Sequence, residues 1–314
     1  MLNYIIKRAV LTVVVLFIVS FITFSLIHIL PGDPAAAMLG DQATMEEIEA
    51  LRHELWLDRP FFVQYGHWLS NALQGDFGKS IMYRVPVSEI IAERLPVTLY
   101  LSFLSLILST FIGIGAGIIC AIRRGSLIDQ IVSVVANAGV AVPIFWLGLL
   151  GIYVFGFTLE WLPLQGWTSP FDDFLKSSKQ ALMPVICLSV TGSSIITRQT
   201  RSSLLEVIRQ DYIRTAWAKG MGEPRVVFKH ALKNALIPVV TLVGLQLRVL
   251  VGGAVLTETV FNIPGMGRLL VDGALAKDFL IVQAGVLLIA VMVSLANLIT
   301  DISHGWLDPR IRYD

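Results

Sequence analysis

The chain has 314 residues, 55% hydrophobic and 15% charged, with a mean hydropathy of +0.73 and a formal net charge of +1. A soluble domain carries about 25% charged residues, so this chain has too little charge to wet the surface of a globule of its size. That excludes a soluble enzyme, a disordered chain and a disulfide-stapled secreted module. The near-zero net charge removes any electrostatic case for nucleic acid.

The composition is that of an all-α, polytopic membrane protein. Apolar runs predict six spanning helices, at residues 9–30, 97–122, 131–157, 181–196, 235–256 and 279–302. The first run, at a rise of about 1.5 Å per residue, matches a hydrocarbon core about 30 Å thick. It is too long for the apolar region of a cleaved signal. Leu30-Pro31-Gly32-Asp33-Pro34 also lacks a small-x-small cleavage site. In the second run Gly113 and Gly117 form a small-xxx-small pair that lets a neighbouring helix approach. Pro143 lies inside the third, and Cys120 and Cys187 sit in apolar runs as packing residues.

Orientation follows the Lys/Arg bias of short loops. Placing the N-terminus inside puts Lys7, Arg8, Arg123, Arg124, the basic stretch 198–233, Arg310 and Arg312 on the inner side. The short outer loops then carry only Lys176, Lys179, Arg268 and Lys277. The first outer segment, 31–96, is acidic. It divides the chain into 1–30, this segment, a core over 97–302 and a tail over 303–314. Within it, Thr44 and Glu47 make a capping box, with Ile48, Leu51 and Leu55 on one helical face. Phe61, Tyr65, Trp68, Leu69 and Ala72 mark a second amphipathic helix. These helices suit either a folded cap or a docking surface for a delivery protein.

No energy-converting or catalytic chemistry is legible. Gly78-Lys79-Ser80 lacks the leading glycine of a phosphate loop, having Leu73 in its place. His53-Glu54 lacks the second histidine of a zinc-protease helix. No metal-ligand cluster, nucleophilic grouping or cofactor motif stands out. The spans hold no midplane Asp or Glu of the kind an ion-coupled carrier uses. Arg248 is the one charge deep in a span. It is a candidate pathway residue for an anionic group, or one half of an ion pair with a partner subunit.

The inner stretch 198–233 reads as helix, turn, helix, with 202–209 continuing the fourth span. Asp211 is its candidate N-cap, Ala216 and Ala218 keep its surface low, and Gly220 and Gly222 stop it. A small-surfaced helix held at the membrane face suits a groove on a moving partner. It also suits an ordinary positive-inside loop.

At these residues the chain resembles the inner-membrane permease subunits of bacterial ABC importers, specifically the dipeptide, oligopeptide and nickel family. Asp211-Tyr212-Ile213-Arg214-Thr215-Ala216-Trp217-Ala218-Lys219-Gly220 matches that family's variant of the inner-loop signature almost throughout. Arg214-Thr215 stands where the broader pattern has Glu-Ala. The match continues through His230–Pro238. Further matches are Pro31-Gly32-Asp33-Pro34, Gly75–Ser80, Arg94-Leu95-Pro96-Val97-Thr98, Pro143–Gly148, Glu258–Phe261, Pro264-Gly265-Met266-Gly267-Arg268 and Asp308–Arg312. The early Pro-Gly-Asp-Pro and the long outer segment look like the first of the family's two permeases.

The resemblance implies the type I importer permease fold. It also implies a second permease subunit, two cytoplasmic ATP-binding subunits, an extracytoplasmic substrate-binding protein and no cofactor. It gives Asp211, Ile213, Arg214, Thr215, Ala216, Trp217 and Gly220 the role of ATPase coupling. Arg248 departs from the small or neutral residue found there in relatives. The implied substrates are di- or oligopeptides, with nickel, a metal chelate or a glutathione-like peptide as alternatives. An ion-coupled secondary carrier is the alternative of a different class.

Overall fold

The computed structural model describes the backbone of residues 2–29, 33–40 and 43–307, and side chains within those ranges except at 2–4, 29, 247–253 and 303–307. Every regular element among the described residues is helical. Four helices are long and apolar enough to cross a membrane singly, and two bent pairs bring the number of spans to as many as six. The chain divides into two compact units, each drawn from segments distant in sequence.

The first unit comprises residues 2–98 and 264–295. Helix α1 (Leu2–Ile29) is the first span. Asp33 then caps the short α2 (Pro34–Leu39), accepting from the Ala35 amide at 3.1 Å, with Pro34 at the first helical position where no N–H is needed. The expected capping box opens α3 (Met45–Glu54): the Glu47 amide donates to Thr44 Oγ1 at 3.3 Å and the Thr44 amide to Glu47 Oε2 at 2.8 Å. The second amphipathic stretch is α4 (Phe61–Leu73).

Helix α4 lies along α1. Tyr65 and Trp68 meet Phe24, the Tyr65 hydroxyl bonds Ser20 Oγ at 2.8 Å, and Gln64 Oε1 bonds His28 Nε2 at 2.8 Å. A second cluster gathers Met38, Val87, Ile90, Ile91, Met266, Leu269, Leu280, Ile281 and Ala284. Buried Asp278 crosslinks this unit. It accepts from Ser80 Oγ at 2.6 Å and the Met82 amide at 3.1 Å, tying the 79–86 turn to the start of the last span. Gly78-Lys79-Ser80 therefore belongs to that structural turn.

The second unit comprises residues 99–263 and 296 onward. Helix α5 (Val87–Ile122) is the second span, longer than its apolar run because it begins within the 31–96 segment. The third span is not one helix. Its chain forms α6 (Leu127–Ala141) and α7 (Ile144–Gly151), which continues as a π-helical turn to Thr158, and the two halves bend by 105°. Pro143 has no amide for the helix ladder and keeps Val142 extended, at φ −76° and ψ 126°.

Helix α8 (Phe174–Val207) is the fourth span and carries Pro184. It exceeds the predicted run at both ends, because the flanking polar residues also obey helical periodicity. After a helical hairpin, α9 (Asp211–Ala218) to α11 (Leu232–Ala235), the fifth span is α12 (Ile237–Val260). The helical stretch before it, which includes α10 (Glu223–Arg225), meets it at 54°. Helix α13 (Met266–Leu275) precedes the sixth span, α14 (Phe279–Leu307).

Glycine sets the approach of α5 to α8. A Cβ on Gly113 would meet Ile196 Cβ at 2.6 Å, and one on Gly117 would meet Thr200 Cβ at 2.5 Å. The small-xxx-small pair therefore faces α8.

Candidate coupling surface

Helix α8 runs past its apolar stretch and ends at Val207, followed by a turn in which the Gln210 amide donates to Val207 O at 3.0 Å. Gln210, in extended conformation, is the N-cap of α9. Asp211 takes the first helical position instead of the cap. There its carboxylate favours the helix dipole and meets Arg214 at 3.4 Å. The helix ends as its glycines predict. The Gly220 amide bonds Trp217 O at 2.9 Å, and Gly220 adopts φ +75°, a left-handed conformation that costs glycine little.

Spacing by three turns Ile213 and Ala216 inward. Both are buried in a cluster with Ile118 and Ala121 of α5, Leu204 of α8, and Val226, Val227, Ala231 and Ala235 from the return arm of the hairpin. The low surface attributed to Ala216 thus serves packing within this chain. The opposite face is open: Asp211, Tyr212, Arg214, Thr215, Trp217, Ala218 and Lys219 are all exposed. The Tyr212 hydroxyl accepts from Asn234 Nδ2 at 2.8 Å, bracing the two arms.

The root of the hairpin is clamped. Arg201 on α8 grips Asp129 at the start of α6, and Asp129 also accepts from the Gly125 amide at 3.0 Å. Sequence reasoning treated Arg201 as one more inner-side cation and did not single out Asp129. The available signal was Ser126 three residues before Asp129, a helix start that keeps an acid near its amides. Helix α9 is therefore an eight-residue helix with one face packed into a cluster shared with α5, α8 and the return arm of the hairpin, and one face exposed.

Arg248 lies on α12, and its side chain is outside the described residues; so is the Asp308–Arg312 motif. Among the described residues no cluster of His, Cys, Asp or Glu is placed to hold a metal.

Residues 113–313 match the family described as the binding-protein-dependent transport system inner membrane component, and residues 1–102 match the corresponding N-terminal membrane component. The chain belongs to this family. The match to 113–313 takes in the whole hairpin. This permease chain is 42% identical over 313 residues, and over the full length of both, to the glutathione transport system permease protein GsiC of Escherichia coli (strain K12). It is 40% identical, again over both full lengths, to the dipeptide transport system permease protein DppB of Alkalihalophilus pseudofirmus. It is 41% identical, over 99% of each chain, to the probable peptide ABC transporter permease protein y4tP of Sinorhizobium fredii.

Among solved structures, an inward-facing conformation of the MetNI methionine ABC transporter superposes with a TM-score of 0.54. The match covers 70% of this chain and 96% of that one at 21% identity, which establishes the type I importer permease fold. The permease is accordingly a multi-pass inner-membrane protein of the all-α class.

Proposed function

We propose that this permease subunit forms half of the translocation pathway of an ATP-driven importer for di- and oligopeptides. The observation that carries this reading is full-length identity of 40 to 42% to permeases named for peptide, dipeptide and glutathione transport, the last a tripeptide. A second permease completes the pathway, and an extracytoplasmic binding protein delivers the substrate. Two cytoplasmic ATP-binding subunits hydrolyse the nucleotide. Basic residues on the inner loops support an orientation with both termini cytoplasmic.

The free face of α9 receives the ATPase. Closure of the ATPase pair pushes Arg214, Thr215 and Trp217. The buried face, through Ile213 and Ala216, passes the displacement to α5 and α8. Packed helices move as bodies, so a small push at the hairpin rocks the spans between inward- and outward-open states. Arg248 contributes a positive charge to the pathway and meets the carboxylate of the substrate.

The test is reconstitution in proteoliposomes. Peptide accumulates when both permeases, the ATPase subunits, binding protein and ATP are present, and not when ATP is withheld. Uphill peptide transport by this chain alone under an ion gradient overturns the reading. For Arg248, Arg248→Gln slows uptake of a free dipeptide more than of its C-terminal amide; equal loss for both removes the carboxylate contact.

A further inference from the structure

The unit built from residues 2–98 and 264–295 encloses a cavity of about 460 Å³ that the import mechanism leaves without a role. This lies within the range of about 300–1,000 Å³ typical of small-molecule sites. Its inner lining mixes the apolar Phe24 of α1, Trp68 of α4, Phe77 and Leu280 of α14 with the buried amide side chains of Gln64 and Gln283. Its exposed lining carries Asp76, whose carboxylate accepts from the Gly78 amide at 2.9 Å, and three further charges of both signs: Glu54 at the end of α3, and Lys79 and Arg84 on the 79–86 turn.

Those three side chains make no hydrogen bond or ion pair with any described residue. The turn itself is held firmly. Lys79 pairs with Pro86 in an antiparallel bridge, the Arg84 amide donates to Ser80 O at 2.9 Å, and Ser80 is anchored on Asp278. Arg84 sits at φ +60°, a conformation that costs a non-glycine residue energy and that clusters at binding sites.

Glu54 on one side and Lys79 and Arg84 on the other line one cavity and form no ion pair with each other. A molecule that carries an ammonium and a carboxylate on an apolar body offers a partner to both signs. We infer that this cavity binds a short zwitterionic peptide, its ammonium at Glu54, its carboxylate at Lys79 and Arg84, and an apolar side chain against Trp68 and Phe77. A phospholipid fits less well. Most of the lining comes from the outer segment, and the spans contribute only the end of α1 and the beginning of α14. The inference rests on the peptide reading above and adds a site on the permease itself, apart from the binding protein.

The experiment uses the assembled transporter in nanodiscs, without binding protein, titrated calorimetrically with alanyl-phenylalanine, its N-acetyl form and its C-terminal amide. Glu54→Gln weakens binding of the free dipeptide about tenfold and leaves the acetylated form unchanged. The pair Lys79→Ala with Arg84→Ala does the same for the free dipeptide against the amide. All three side chains are exposed, and thermal unfolding of each variant verifies that the fold is retained. Dipeptide affinity unchanged in every variant overturns the site, as does a phospholipid retained by the wild type and lost from the variants. ATP-driven uptake with binding protein is measured in parallel. Uptake without cavity binding overturns the site alone, and absence of both overturns it together with the peptide reading.

Discussion

Arg201 holds Asp129 in a bidentate grip, Nε to Oδ1 at 2.7 Å and Nη2 to Oδ2 at 2.8 Å, with the Asp129 side chain 6% exposed and that of Arg201 33% exposed. The pair joins the start of α6 to the C-terminal part of α8, which leads into the hairpin. Removing either partner leaves the other charge without its match. Asp129→Ala or Arg201→Ala is expected to destabilise the permease by about 2–4 kcal/mol, the lower part of the range reflecting the partial exposure of Arg201. Thermal unfolding in detergent checks this, and the charge-swapped double variant should recover part of the loss.

The two faces of α9 predict two kinds of defect. Ile213→Asp and Ala216→Asp bury a carboxylate in an apolar cluster and should lower stability and abundance, by about 3 kcal/mol or more. Trp217→Ala and Arg214→Glu alter only the exposed face. They should leave the unfolding temperature unchanged and reduce peptide moved per ATP hydrolysed. Stability and coupling ratio, measured on the same preparations, separate the classes. Wild-type coupling in both exposed-face variants would remove that face from the ATPase contact.

Gly220 has open space where a Cβ would sit, so its constraint is backbone conformation alone. Gly220→Val should cost about 1–2 kcal/mol through its left-handed φ, and Gly220→Asn clearly less. Hydrogen exchange at the Lys219 and Gly220 amides, which bond Thr215 and Trp217, reads the loosening of the helix end.

Gly117→Val forces a side chain into Thr200, whose Cβ already lies 2.5 Å from the position a Cβ would take. Helices α5 and α8 must part, at a cost of about 1–3 kcal/mol for an overpacked contact. Cysteine crosslinking across the α5–α8 contact should fall, together with the unfolding temperature.

The capping box responds to pH. Hydrogen bonds from the Thr44 amide and hydroxyl hold the Glu47 carboxylate below its ordinary range. The folded form therefore binds a proton less readily than the unfolded one. The box is at full strength above the unfolded value near 4.5 and is lost as pH falls through the lower folded value. Hydrogen exchange over Met45–Glu54 should rise on acidification below that point, and Glu47→Gln should flatten the response.

Much of this architecture is legible in one dimension because a membrane imposes a one-dimensional rule: about 20 apolar residues must run unbroken to cross it. That rule located the segments that form four, and with the two bent pairs as many as six, candidate spans among the described residues. Local chemistry likewise placed the Thr44–Glu47 box and the glycine stop of α9, since both depend on residues a few positions apart. The family signature was readable for a related reason: the hairpin is one contiguous stretch of chain.

What required three dimensions concerns direction and partners. Pro143 was visible inside the third run, but the 105° bend depends on what the freed backbone packs against. Asp129 and Arg201 lie 72 residues apart, and no local pattern links them. The alanine of the signature was legible as small. Its orientation, toward the chain's own core, is given by the burial of Ala216 in one cluster with Ile213. Glu54, Lys79 and Arg84 come to share one cavity because Asp278, far along the chain, fixes the turn that carries the two cations. Periodicity records which side of an element is apolar; which neighbour covers that side depends on contacts between distant segments, and only the folded chain creates them.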